Sequence, residues 1–345
     1  MTVTETGTVS QVGPDDRLPP RLAFHIFLRD QGLLLLWLVA IVVFAIWGAP
    51  YFFTVATGLS ILNSAAITAI FAAGIGVGVM VGVLDISVPG VAAVAGVTVG
   101  LLMKADFPVW GAILVGLAIG LIAGAVNGVI AVRGLDPLIV TIGMLSVTSG
   151  LALLLSGGYN VAGLGDLAFL GTAYYFGIPA PVIVTVLLFA VLTLILKTTR
   201  GGMRLLAVGG NAEAARRVGI AVDGYRIAGF MVSGFCAALG GIVTAAYIST
   251  ATPTASTGVI FDALTAVALG GVPFVGGRGS LPRVLLGAVV LATISAGLLI
   301  AGVQTYWGTV ATGVLLVGGL ALQRWTTRSV SGLILRGQPS GKAGR

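Results

Sequence analysis

Long apolar runs dominate this sequence and leave few folds open to it. We place them near residues 33–52, 60–84, 87–103, 109–132, 136–156, 177–196, 227–248, 259–275, 282–302 and 307–323. A membrane-spanning α-helix needs about 20 apolar residues, and most of these runs are close to that length. Only 8% of the residues are charged, whereas soluble domains carry about a quarter. The sequence therefore predicts an all-α, polytopic membrane protein with about ten transmembrane helices, some of them broken.

The cations predict how the chain is oriented. Of the 18 Lys and Arg residues, 17 fall in the termini or in one alternate set of loops, and only Lys104 falls in the other set. Cations gather in cytoplasmic loops, so both termini are expected in the cytoplasm. We predict a disordered cytoplasmic tail over 1–30, a transmembrane domain over 31–325 with a cytoplasmic loop at 197–226, and a cytoplasmic tail over 326–345. This orientation accounts for the net charge of +7, so membrane lipid is an expected partner and nucleic acid is not.

A single cysteine and a single histidine limit the chemistry open to the chain. Zinc sites need several Cys or His ligands, and nucleophilic catalysis usually needs a His beside a Ser or Cys. His25 precedes the first span, and Cys236 lies among Gly and Ala within a span, where it is expected to be a small buried apolar side chain. We therefore predict no catalytic residue and no metal site.

Glycines recur every four residues in two of the spans. They stand at Gly74, Gly78 and Gly82, and again at Gly116, Gly120, Gly124 and Gly128. Because an α-helix has 3.6 residues per turn, this spacing gives a smooth stripe along one side, on which a second backbone can approach closely. The stripes predict a compact helical bundle and indicate nothing about a substrate.

The longest polar interruption, from Lys197 to Arg226, carries the signals of a short helix. Asn211 is a strong N-cap residue, Glu213 falls in the first turn, and Arg216 falls toward the C-terminal end. Gly219 then supplies a left-handed stop. A helix of about two turns is not stable alone, so it is expected to pack on the bundle and on a partner.

Two acids lie within the predicted spans. Asp85, in GVLDISVPG, either caps a helix that begins at Ile86 or Ser87 or lies in a permeation path. Asp262 lies in a second stretch of small residues. Intramembrane acids are candidate functional groups, so a proton- or sodium-coupled secondary carrier that uses Asp85 or Asp262 is one reading of the chain.

The two remaining polar stretches are interpreted as structural. Asp136 and Pro137 predict a tight turn followed by a capped helix. GGVPFVGGRGS, ending at Ser280, lacks the Gly-Lys-Ser/Thr of a phosphate-binding loop, so no nucleotide site is expected there. Its glycines indicate a broken helix or turn at membrane depth.

Several of these stretches together resemble a known family. They are LDISV, NGVIAV with DPLIVTIG, GGNAEAARRVGIAV, SGFCAALGGIVTAA, and PTASTG followed by AVALGGVPFVGGRGS, and they run from about Leu33 to Arg324. In this order they resemble the membrane permease of bacterial ATP-binding-cassette (ABC) importers for ribose and related sugars.

The resemblance implies a permease subunit of an importer in the bacterial plasma (inner) membrane. Its partners would be a second permease copy or paralogue, cytoplasmic ATP-binding subunits, and a periplasmic or lipid-anchored sugar-binding protein. No cofactor is implied on this chain, because ATP and Mg²⁺ would belong to the ATPase. The implied ATPase-coupling residues are Gly210, Asn211, Glu213, Ala214, Ala215, Arg216 and Gly219, and the implied residues of the translocation path or of its structural support are Asp85, Asn127 and Asp262.

Overall fold

The computed structural model describes residues 20–254 and 257–336, which are mostly helical, as predicted. The helices are α1 (Pro20–Trp47), α2 (Val55–Val81), α3 (Val88–Lys104), α4 (Val109–Val132), α5 (Pro137–Ser156), α6 (Ala168–Gly171), α7 (Ala180–Thr198), α8 (Arg200–Gly210), α9 (Ala212–Arg217), α10 (Val222–Tyr247), α11 (Thr257–Leu269), α12 (Leu281–Ile300) and α13 (Thr305–Arg336). A 3₁₀ turn spans Gly165–Leu167. The short strands are β1 (Val161–Ala162), β2 (Tyr174–Tyr175), β3 (Ile178–Pro179) and β4 (Thr250–Ala251).

Six helices in the described part of the chain are long and apolar enough to cross a membrane: α2, α4, α5, α7, α10 and α12. Four further apolar helical segments are shorter: Gln31–Trp47, Val88–Lys104, Gly258–Leu269 and Thr305–Ala321. The chain is thus a multi-pass membrane protein.

Helix α2 lies at the centre of the bundle. It packs against α10, α11 and α12. In its most apolar stretch of 18 residues, 83% of the residues are buried inside the protein. From Ala65 onward its sequence is mostly Ala, Gly, Val and Ile. A helix that is apolar on every side must be surrounded by other helices or by lipid. The small side chains of α2 let neighbouring helices approach it closely.

The glycine stripe predicted on the fourth span is confirmed as the contact between α4 and α10. A Cβ atom at Gly120 would overlap the carbonyl oxygen of Gly234, and one at Gly124 would overlap the backbone of Phe230. Gly74 of α2 faces α10 in the same way, because a Cβ there would lie 2.7 Å from the Cβ of Cys236. Cys236 is buried, as predicted. Helix α10 therefore packs closely against both α4 and α2.

The chain breaks twice inside the bundle. Helix α2 ends at Gly82, whose φ is 86°, and α3 begins at Val88 with Pro89 in its first turn. Helix α11 ends at Leu269, and the Gly-rich loop 270–280 leads into α12. In this loop, Gly271, Gly276 and Gly277 have positive φ. The broken helix predicted at GGVPFVGGRGS is thus confirmed.

Two pairs of short strands lie in the loops that connect the helices at one end of the bundle. β1 pairs with β4 in antiparallel register, with Val161 opposite Ala251, and β2 pairs with β3 as a hairpin. The first pair joins the segment after α5 to the segment after α10.

Some of the predicted boundaries need correction. Helix α1 begins at Pro20, so residues 20–30 are not a disordered tail. The reason is that Arg21 to Asp30 contains no helix breaker. Helix α11 stops at Leu269 rather than near 275, because Gly271 is left-handed and Pro273 cannot continue the helical hydrogen bonds. Helix α13 continues to Arg336, beyond the boundary predicted at 325. The remaining tail residues, 1–19 and 337–345, lie outside the described residues.

Candidate functional site

The polar loop 197–226 contains the short capped helix that the sequence predicts. In α9, Asn211 accepts a hydrogen bond from the backbone N–H of Ala214 at 2.9 Å. Glu213 lies in the first turn, and Arg216 and Arg217 lie in the last. Gly219 follows with φ of 80°. These charges complement the helix dipole at both ends.

Packing holds α9 in place more firmly than its charges do. Arg217 pairs with Glu213, and Arg216 pairs with Asp223 at 3.1 Å, but all four side chains are largely exposed. Exposed ion pairs contribute only about 0–1 kcal/mol each. Ala215, by contrast, is 4% exposed and belongs to the main apolar core.

The other face of α9 is open. Glu213 and Ala214 are exposed, and Val218, directly after the helix, is 76% exposed. Isolated exposed apolar residues are common on proteins. Here, however, Val218 stands beside charged residues on a short helix whose other face is anchored in the core. That face of α9 is thus free of packing contacts with the described part of the chain.

A second helix in this loop, α8, was not predicted. Thr199 caps it by accepting a hydrogen bond from the N–H of Gly202 at 3.0 Å. Leu205 and Val208 are buried together with Gly202. The cap and the three-residue spacing of the buried positions were the signals that could have revealed this helix.

The end of α8 is in direct backbone contact with two other parts of the bundle. A Cβ atom at Gly209 would overlap the carbonyl oxygen of Met80, and it would lie 2.7 Å from the amide nitrogen of Gly277. The N–H of Gly277 in turn donates to the carbonyl of Met80 at 2.9 Å. We call Met80, Gly209 and Gly277 the glycine junction. It joins α8 to the end of α2 and to the loop 270–280 with no side chain between the backbones.

Asp85 lies just beyond the glycine junction, in the break between α2 and α3. Its Oδ1 accepts hydrogen bonds from the N–H of Ser87 at 2.9 Å and from the Ser87 hydroxyl at 2.6 Å. Asn127 of α4 donates to the same hydroxyl at 2.9 Å. The carboxylate therefore fixes the turn that leads into α3. The helix itself begins at Val88 rather than at Ile86 or Ser87.

This polar group has unused acceptors. Asp85 is 1% exposed and Asn127 is fully buried, and Ser233 of α10 adjoins Asp85. Within the described residues, Asp85 Oδ2, Asn127 Oδ1 and Ser233 Oγ have no hydrogen-bond partner. Buried polar atoms without partners are uncommon. The Ser233 hydroxyl adjoins the Asp85 carboxylate, so a small rotation would let it donate a hydrogen bond to that carboxylate.

The third predicted residue, Asp262, lies elsewhere. Its Oδ1 accepts a hydrogen bond from the hydroxyl of Thr312 at 3.1 Å, which ties α11 to α13. In the part of the chain that the structure describes, no hydrogen bond or ion pair joins Asp262 to Asp85. The structure thus brings Asp85 and Asn127 together through Ser87 and leaves Asp262 at a separate helix contact.

Comparison with known proteins places the chain in a family. A sequence model of the family described as "Branched-chain amino acid transport system / permease component" matches residues 57–320. The chain is 31% identical over 304 residues to the D-allose transport system permease protein AlsC of Escherichia coli strain K12, covering 87% of this chain and 93% of that protein.

Two other relatives are similar to the chain over most of its length. The ribose import permease protein RbsC of Haemophilus influenzae is 33% identical over 279 residues, covering 79% of this chain and 86% of that protein. The autoinducer 2 import system permease protein LsrC of Yersinia pseudotuberculosis is 33% identical over 271 residues, covering 78% of this chain and 77% of that protein.

Among solved structures, a metal-chelate type ABC transporter in an inward-facing conformation matches with a TM-score of 0.40 and 14% identity, covering 92% of this chain and 99% of that one. A similarity at that level adds nothing to the assignment. The family match and the three relatives each cover most of the chain. The chain therefore belongs to the family of branched-chain amino acid transport system permease components, and it is a transport component rather than an enzyme.

Proposed function

We propose that this chain is the permease subunit of an ABC importer in the bacterial plasma membrane, and that the importer carries a monosaccharide or a related small polar solute. Support comes from the relatives, which are named for D-allose, ribose and autoinducer 2. A second permease copy or paralogue, cytoplasmic ATP-binding subunits and a sugar-binding protein, periplasmic or lipid-anchored, complete the importer. This chain binds no cofactor, and ATP and Mg²⁺ belong to the ATPase.

The chain crosses the membrane about ten times, with both termini in the cytoplasm. The six long apolar helices and the four shorter apolar segments supply these crossings, with the loop 270–280 completing the crossing that α11 begins. This arrangement puts α8 and α9 on the cytoplasmic side, opposite Lys104, in agreement with the preference of cations for cytoplasmic loops.

The glycine junction is the observation that carries the proposed coupling between the ATPase and the bundle. The open face of α9 receives the ATPase, and Gly209 of the junction lies only two residues before Asn211, the N-cap of α9. Because the backbones touch there directly, a displacement of α8 has no flexible side chain in which to be absorbed. Packed interiors transmit strain rather than dissipating it. A movement imposed on α9 by the ATPase therefore reaches the end of α2, the break at Asp85 and the loop 270–280.

Uptake by the reconstituted complex tests the proposal. The tagged protein is purified with its bound subunits, placed in liposomes and supplied with D-ribose or D-allose. We expect uptake that needs ATP, is blocked by vanadate and is unaffected by a protonophore. Uptake driven by a proton or sodium gradient without ATP would contradict the importer and favour the coupled carrier that uses Asp85 or Asp262.

A variant pair tests the role of the exposed face of α9. Val218→Glu places a charge where an apolar contact with the ATPase is proposed, so it should lower both uptake and the amount of ATPase that co-purifies. Leu135→Glu makes the same change at a residue that is 53% exposed in the α4–α5 turn. Equal effects of the two variants would remove the special role of α9.

A further inference from the structure

A cleft opens between α3, α10 and the segment that joins α10 to α11. Its inner cavity is about 70 Å³, and with its mouth it reaches about 480 Å³. Phe71 of α2 forms part of its wall, together with Pro89 and Ala92 of α3 and Thr244 of α10. The cleft is separate from the glycine junction, and neither of the acids Asp85 and Asp262 lines it.

The cleft has a rigid floor and a fixed rim. A Cβ atom at Gly96 would lie 3.3 Å from the carbonyl oxygen of Gly241, and one at Gly241 would overlap the carbonyl oxygen of Ala92. Helices α3 and α10 are thus in backbone contact beneath the cleft. On the rim, Ala251 is held opposite Val161 by the β1–β4 pairing. The floor of the cleft and the rim at Ala251 are therefore held by contacts within the protein.

Hydroxyl groups supply the polar part of the lining. Thr244, Thr250, Thr252 and Thr254 all line the cleft. Thr244 donates its proton to the carbonyl of Gly240 at 2.7 Å, which leaves its oxygen able to accept. Thr252 and Thr254 are exposed, and within the described residues their hydroxyls make no hydrogen bond. A solute can therefore find acceptors at all of these hydroxyls, and donors at the exposed Thr252 and Thr254.

Charge is missing from the described lining. The remaining side chains are apolar, with Phe71 the largest among them and Ile248 and Val259 near the mouth. A carboxylate or ammonium group that entered such a cleft would lose hydration without gaining an ion pair, which is costly. A neutral solute with many hydroxyls would instead match the threonines, and its C–H surface would pack on the apolar wall.

From this chemistry we infer that the cleft is the site where the permease receives a neutral polyhydroxylated solute, a monosaccharide rather than an amino acid. The inference rests on the proposed function, and it assigns that function a place and a substrate class. One buried water needs about 10–15 Å³ of such cavity space, so the inner cavity has room for several waters. A monosaccharide is larger than that, so one edge of its ring fills the cavity while the rest lies in the mouth. Because only part of the solute is enclosed, its affinity for the cleft is low, and a low affinity allows the solute to be released during transport.

Cysteine labelling in the purified, reconstituted complex tests the inference. Cys236 is the single cysteine of the chain and is buried, so Cys236→Ser gives a background free of cysteines from this chain. In that background, Ile248→Cys places a thiol at a cleft residue that is 48% exposed. Asp106→Cys, at the exposed turn between α3 and α4, is the matched control. The probe is N-ethylmaleimide, added with D-ribose, D-allose or L-leucine at up to tens of millimolar.

We expect D-ribose or D-allose to slow labelling at Ile248→Cys several-fold and to leave Asp106→Cys unchanged. Thr252→Val and Thr254→Val together keep the side-chain shape and remove two hydroxyls. They should raise the sugar concentration needed for half-maximal protection by about tenfold, because each hydrogen bond contributes modestly to affinity.

The possible failures can be told apart. If no solute protects Ile248→Cys while ATP-driven sugar uptake persists, the cleft is not the site and the proposed function stands. If L-leucine protects and is taken up while the sugars do neither, the proposed cargo is wrong. If the threonine substitutions leave protection unchanged, the hydroxyls do not bind the solute and the inference is overturned.

Discussion

Replacing Gly209 with alanine tests the contact on which the proposed coupling depends. The added methyl group would meet the carbonyl oxygen of Met80 and the amide nitrogen of Gly277. Both are backbone atoms of other elements, and neither can rotate away as a flexible side chain would. To admit the methyl group, α8 must move away from the end of α2 and from the loop 270–280.

The expected cost follows from two opposing terms. Overpacking a well-packed site typically costs about 1–3 kcal/mol, and rigid backbone obstacles favour the upper end of that range. Alanine is a better helix former than glycine by about 0.5–1 kcal/mol, which offsets part of this cost. The net loss is therefore about 2 kcal/mol. Unfolding entropy is about 2.1 cal/mol/K per residue, or about 0.7 kcal/mol/K for a chain of 345 residues, so this loss corresponds to a drop of about 3 °C.

Gly201→Ala is the matched control on the same helix. Gly201 is exposed, and a Cβ there would lie 3.6 Å from the Thr199 hydroxyl, an ordinary van der Waals distance. This variant should keep or slightly raise the midpoint. The midpoint is measured by fluorescence-detected size exclusion of the detergent-solubilised protein after heating. ATP-driven uptake per folded protein is measured below both midpoints, and we expect it to fall in Gly209→Ala alone.

Two results would refute this reasoning. Equal midpoints for the two variants would show that the backbones at the glycine junction are not packed as described. A lowered midpoint for Gly209→Ala with normal uptake per folded protein would show that the junction supports the fold and does not carry the movement of α9.

Four other predictions concern α9, Gly219 and Asp85. Glu213→Arg replaces an exposed ion pair with a repulsion from Arg217 that costs a few tenths of a kcal/mol, so membrane yield on immunoblots should stay constant while uptake is lost. Gly219→Val puts a β-branched residue at φ of 80°, which costs about 1–3 kcal/mol locally; it should also stop uptake at near-normal yield, and normal uptake by either variant would exclude the coupling role. Asp85→Asn keeps an oxygen acceptor for the two Ser87 donors, so an importer should retain folding and transport, whereas loss of transport at normal yield would favour the coupled carrier. Asp85→Leu leaves both donors buried and unpaired at about 1–3 kcal/mol each, and its membrane yield should fall.

Local signals explain what the sequence predicted well. The N-cap at Asn211, the charges of α9 and the left-handed Gly219 lie within nine residues of one another, so one short window contains the signals that set where that helix begins and ends. The stripe on α4 was also readable, because a four-residue glycine period marks one helix face whatever packs on it. The prediction missed α8 because it treated residues 197–226 as a polar loop with one short helix. The Thr199 cap and the spacing of Leu205 and Val208 were readable, but which elements bury these two side chains depends on the tertiary structure.

The sequence by itself determined the environment and the local elements: a chain this apolar must satisfy its backbone hydrogen bonds internally, so it forms helices in a membrane. It also determined which loop carries a capped helix. Only the tertiary structure decided that Gly209 meets Met80 and Gly277, that Asn127 reaches Asp85 through Ser87, and that Phe71 shares a cleft with the threonines after α10. The physical reason is that these contacts join residues distant in the chain. Their partners are selected by how whole helices pack, whereas hydrophobic period and capping chemistry describe one helix at a time.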